Sequence, residues 1–76
     1  MNQLTLQRLN DQVFRVFSSQ SEHVGNLKLI GGVWKFKAIG YDANGGVIPG
    51  GGPYTERHNT RFAVLDAALI SAVLQA

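Results

Sequence analysis

The residues of this chain best suited to chemistry are cations and rings set at alternating positions. Lys28, Lys35 and Lys37, together with Arg15, Phe17 and Tyr41, lie in runs that alternate apolar and polar side chains. A lysine or arginine neutralises a phosphate and an aromatic ring stacks on a base. Interleaving the two on one sheet surface is therefore a physical route to holding nucleic acid. The same residues also fit a solvated face on which lysine stems cover apolar neighbours.

Other chemistries have thinner support. His58 stands in Glu56-Arg57-His58-Asn59, where Glu56 or the later Asp66 could partner it as an acid–base pair; His23 is remote in sequence. Two histidines without cysteines, and without the spacing of a metal-binding pair, do not make a metal site. Ser18, Ser19, Ser21 and Ser71 lack the strand–turn–helix context of an activated nucleophile. The stretch from Gly40 to Pro53 holds six of the nine glycines. Glycine backbones can cradle phosphate, but the Gly-Lys-Ser/Thr that opens a helix in a phosphate loop is missing. The expectation is a non-enzymatic module with no catalytic residue, no metal and no cofactor.

The elements that must position the cations are legible. His23–Ile30 and Val33–Tyr41 alternate with period two on either side of Gly31-Gly32. This predicts a β-hairpin with a two-residue turn, whose central residues need the positive φ that glycine adopts at little cost. The turn sets a register: Ile30 faces Val33, Leu29 faces Trp34, Lys28 faces Lys35, Leu27 faces Phe36, Asn26 faces Lys37 and Val24 faces Ile39. Leu27, Leu29, Trp34, Phe36 and Ala38 then share the core face. Val24, Asn26, Lys28, Ile30, Val33, Lys35, Lys37, Ile39 and Tyr41 share the other.

Residues 12–18 are β-branched and aromatic and precede the polar Ser19-Gln20-Ser21-Glu22. They predict a strand paired with 23–30, although Leu6, Leu9, Val13, Val16 and Phe17 also sit at near-helical spacing. Residues 3–9 fit either a further strand, with Asn10-Asp11 closing a hairpin, or the start of a helix. Asn44-Gly45 predicts a turn within the Gly/Pro-rich loop 42–53, returning a short fourth strand near Val47-Ile48. Residues 62–75 read as a helix with Asp66 near its start, where the dipole favours an acid. Leu65, Ala68, Leu69, Ala72 and Val73 form one stripe. Eleven of the thirteen residues from Phe62 to Leu74 are apolar, which predicts burial on more than one side.

The expected architecture is thus one small α+β domain, an antiparallel sheet of three or four strands packed against one C-terminal helix. Trp34, Phe36, Leu27, Leu29, Leu65, Leu69 and Val73 are its expected core. This order of elements is similar to the small three-strand-plus-helix DNA-binding domains of the integrase N-terminal type. The matching residues are Gly32-Val33-Trp34-Lys35-Phe36-Lys37, Asn44-Gly45-Gly46, and Phe62 followed by Asp66-Ala67-Ala68. The resemblance concerns topology, and no binding residue is taken from it.

Composition bounds these readings. Of 76 residues, 45% are apolar and 16% charged, which excludes a highly charged disordered tail. No run approaches the ~18 uninterrupted apolar residues of a membrane span, so no membrane partner is expected. Cysteine is absent and Met1-Asn2-Gln3-Leu4 does not read as a secretory leader, so a cytoplasmic location is expected. Seven basic against five acidic residues leave a net charge of only +2. A chain this short is marginal alone, and Val24, Ile30, Val33 and Ile39 would form an exposed apolar patch. Two functional expectations follow: a nucleic-acid-binding module using Lys28, Lys35, Lys37, Arg15 and Tyr41, or a protein-interaction module that binds a partner or forms a homodimer.

Overall fold

The Gly31-Gly32 turn sets the geometry of the sheet. In a computed structural model, which describes residues 3–76, the two glycines have φ of 58° and 79°. Positive φ at both central residues matches the right-handed twist of the strands they join. These strands are β3 (His23–Ile30) and β4 (Val33–Tyr41). Over Asn26–Ile30 their register is the expected one, with Ile30, Leu29, Lys28, Leu27 and Asn26 opposite Val33, Trp34, Lys35, Phe36 and Lys37. The ladder ends at Gly25 opposite Ala38, short of the expected Val24–Ile39 pair.

Four more strands extend the hairpin, so the sheet is larger than the three or four strands expected. β1 (Thr5–Asn10) and β2 (Val13–Phe17) continue it beyond β3. β5 (Val47–Pro49) and β6 (Arg61–Phe62) both pair with the far side of β4. All pairings are antiparallel, and α1 (Ala67–Leu74) follows. This is an α+β architecture with five strands in sequence order and β6 beside β5 along β4. The six strands depart from the three-strand-plus-helix topology that the sequence resembles.

Local hydrogen bonds explain the extra strands. The Asn10 side-chain oxygen accepts from the Gln12 N–H at 2.8 Å, which stabilises the turn between β1 and β2. This selects the strand alternative for residues 5–10. Asp42 Oδ1 accepts from the N–H groups of Asn44 and Gly46 at 2.9 and 2.8 Å and turns the chain back into β5. The glycines that follow serve close backbone approach. Gly52 has φ of 85°, and a Cβ there would collide with the Ile39 carbonyl. The loop can therefore lie directly on β4.

The helix is shorter than 62–75 and buries a different face. Asp66 is its N-cap, with Oδ1 accepting from the Leu69 N–H at 3.1 Å. Phe62 is held in β6 because the chain ahead of it is bonded to β4. Phe36 N–H donates to Thr60 O at 2.8 Å, and Asn59 N–H donates to Phe36 O at 2.7 Å. Ile70, Ser71 and Leu74 are the buried residues of α1. Leu65 and Val73 are only partly buried, and Leu69 is 46% exposed. Where almost every position is apolar, periodicity does not choose a face; the attachment at β6 does.

The core comprises Leu4, Val16, Val24, Leu27, Phe36, Ala38, Phe62, Ile70 and Leu74. Buried Ser71 accepts the Leu4 N–H on Oγ at 2.9 Å, tying the helix to the chain just before β1. Two core expectations fail at the hairpin tip: Leu29 is 36% exposed and Trp34 is partly buried. An eight-residue helix is ~12 Å long and cannot cover a nine-residue strand of ~30 Å. Trp34 packs instead edge-on against Phe14, with centroids 5.5 Å apart. Val24 was expected on the outer face but is 1% exposed. The pairing of β2 with β3 shifts between Val16 and Phe17, opposite Gly25 and His23, leaving Val24 as the extra residue of a bulge. A bulge re-aims a side chain, here into the core. Among the described residues no helix is long and apolar enough to cross a membrane.

Gly25 lies under the Phe36 ring, and a Cβ there would sit 2.5 Å from Phe36 Cζ and 2.7 Å from the Lys37 carbonyl oxygen. Gly25→Ala is expected to destabilise the fold by about 1–3 kcal/mol through overpacking. Urea unfolding should show a lower midpoint with an unchanged slope.

Candidate nucleic-acid interface

Side chains directly opposite one another in a sheet share a face, so the register assembles the outer surface row by row. One row runs Asn10, Val13, Lys28, Lys35, Arg61. The next runs Gln7, Arg15, Asn26, Lys37. Strands lie ~4.8 Å apart and alternate residues ~7 Å apart along a strand. Arg15, Lys28, Lys35, Lys37 and Arg61 therefore form a continuous field, containing five of the seven basic residues. Arg15, Lys28 and Arg61 are exposed, while Lys35 and Lys37 are half-buried.

Among the described residues no carboxylate forms an ion pair with this field. Asp11 lies in the β1–β2 turn and is ion-paired with Arg8. Glu22, Asp42, Glu56 and Asp66 occupy a loop, a turn, a short 3-10 helix and the α1 cap. None of the five acids stands in a strand. Among the described residues the ion pair is Arg8–Asp11, and Lys37 donates to a neutral acceptor, Asn59 Oδ1, at 2.6 Å. Lys28 faces Lys35 directly, and like charges opposite one another destabilise a strand pair.

Aromatic rings flank one end of the cations. Phe17 pairs with His23 across β2 and β3. Their ring centroids are 5.3 Å apart, and the His23 ring is 6.1 Å from that of Tyr41. His23 Nδ1 bonds the Tyr41 hydroxyl at 2.7 Å and Nε2 bonds Asn26 Oδ1 at 2.9 Å, which fixes the Tyr41 ring while leaving that residue 49% exposed. The structure thus brings Lys28, Lys35, Lys37, Arg15 and Tyr41 onto one face. Sequence reasoning missed Arg61, whose place depends on β6, and His23, whose contact with Tyr41 depends on pairing across the hairpin.

His58 is positioned by β4 rather than by an acid. Its Nδ1 accepts the Ala38 N–H at 3.0 Å, and among the described residues neither Glu56 nor Asp66 hydrogen-bonds the ring. Nor do the described residues group three or more His, Asp or Glu side chains in a way that could hold a metal ion. No protein-family model, curated protein or solved structure matches this chain.

Lys35→Glu replaces a repulsion with an attraction toward both Lys28 and Arg61. It is expected to stabilise the fold by about 0.2–1 kcal/mol. Urea unfolding at low ionic strength checks this, and the gain should shrink as salt is added.

Proposed function

We propose that the protein binds nucleic acid through its outer sheet face. The observation that carries this reading is the field of five cations, Arg15, Lys28, Lys35, Lys37 and Arg61, without a carboxylate among them. The net charge is only +2 because five acids offset seven bases in number, but those acids lie in turns, loops and caps rather than among the sheet-face cations. Phosphates supply the missing counter-charges, and Tyr41 supplies an exposed ring for stacking. A β-sheet offers such an array at fixed spacing, so little side-chain order has to be gained on binding beyond the lysine tips.

A second reading, self-association, is favoured by the helical side of the molecule. Val64 is 55% and Leu69 46% exposed, and Leu29 adds an uncovered apolar residue on the inner face of the sheet. Sedimentation showing a strict monomer at high concentration would exclude it.

The double substitution Lys35→Glu with Lys37→Glu tests the leading reading. Circular dichroism should remain that of the wild type, while a gel shift on DNA or RNA at low salt should weaken by more than about tenfold. Absence of any wild-type shift, on single or double strands, would overturn the proposal.

A further inference from the structure

A pocket of about 270 Å³ opens on the outer face beside the cations. Ile39, Val47 and Pro49 give it apolar walls, and Asn26, Lys28, Lys37 and His58 supply its polar groups. We propose that this pocket receives one unstacked nucleobase, so that the face selects single-stranded over duplex nucleic acid. The inference rests on the nucleic-acid reading above and deepens it.

The size and lining of the pocket support this occupant. Its volume lies just below the ~300–1,000 Å³ of pockets that enclose drug-sized molecules, which suits a group of nucleobase size. Pro49 stands opposite Ile39 and Val47 opposite Tyr41, so the apolar walls belong to the β4–β5 ladder rather than to a loose loop. Such walls accept the faces of a flat ring. The rim is cationic: Lys28 and Lys37 lie on neighbouring strands one row apart, placed to hold the phosphates on either side of an inserted base.

The polar groups are oriented before any ligand arrives. Both backbone groups of Ala38 are bonded at the pocket: its N–H to His58 Nδ1 at 3.0 Å and its carbonyl to the Gly50 N–H at 2.8 Å. Because Nδ1 accepts, the neutral ring carries its proton on Nε2. A Cβ at Gly50 would approach Nε2 to 3.6 Å, so glycine leaves that side of the ring open. Among the described residues no bond is made by Nε2, leaving its N–H for a base acceptor. Asn26 Oδ1 is held by His23 Nε2, which turns the amide NH₂ into a fixed donor. In a duplex these base edges are paired and stacked, and extracting one costs a few kcal/mol. A single strand presents them freely.

Fluorescence anisotropy with short labelled oligonucleotides tests this at one salt concentration. Four probes serve: single-stranded DNA, single-stranded RNA, the same DNA annealed to its complement, and an abasic DNA strand with unchanged phosphates. At least one intact single strand should bind about tenfold tighter than the duplex, and the abasic strand should lose most of that advantage. Val47→Phe fills the pocket at a position that is 56% exposed, without changing charge. It should reduce intact single strands to the abasic level and leave duplex binding unchanged. Equal affinity for intact, abasic and duplex probes, with sensitivity to Lys35→Glu and Lys37→Glu retained, would overturn the pocket inference and leave the sheet-face reading standing. Binding to no probe would overturn both.

Discussion

Lys28 faces Lys35 because the Gly31-Gly32 turn closes the hairpin at one register. A slip of one residue would exchange the two faces of a strand, moving lysines toward the core and Leu27 or Phe36 toward water. Burial of Leu27 and Phe36 therefore enforces the juxtaposition of the ammonium groups. The repulsion is a consequence of packing that the rest of the fold does not relieve. Two of the flanking strands extend it: β2 adds Arg15 and β6 adds Arg61, both on the same side. The acids stand outside the strands, and two of them, Asp42 and Asp66, accept backbone N–H groups in a turn and a helix cap. Charge on this molecule is separated by secondary structure.

The part of this arrangement written in local sequence was legible. Period-two alternation around Gly31-Gly32 gave the central hairpin, its register and the shared face of Lys28, Lys35 and Lys37. The β-branched character of Val13–Phe17 placed Arg15 and Phe17 correctly, and Asn44-Gly45 pointed to the return into β5. What escaped depends on contacts between distant segments. The two-residue strand β6 carries no periodicity of its own and exists because Asn59 and Thr60 bond to Phe36. That attachment delays the helix to Ala67 and replaces the Leu65/Leu69/Val73 stripe with Ile70, Ser71 and Leu74. Val24 was misplaced by a bulge, which parity counting along one strand does not detect.

The glycine-rich segment has a different importance from the one its composition suggests. Its backbone does not form a phosphate loop opening a helix. Gly52 allows the chain to lie against Ile39 and Gly40, and the Gly50 N–H bonds the Ala38 carbonyl. The segment thereby closes one wall of the pocket and brings His58 to β4. Close backbone packing thus builds the recess, while the strand register supplies the cations around it.

The central claim is that the outer-face cations act together on a polyanion, and the salt dependence of affinity measures this most directly. For single strands the slope of log K against log salt is about −0.7 for each phosphate neutralised, so five engaged cations predict a slope near −3.5 for the wild-type protein. A slope of about that size, made shallower by Lys35→Glu with Lys37→Glu, is the result expected. Binding that is indifferent to salt, or no binding at low salt, would contradict the account.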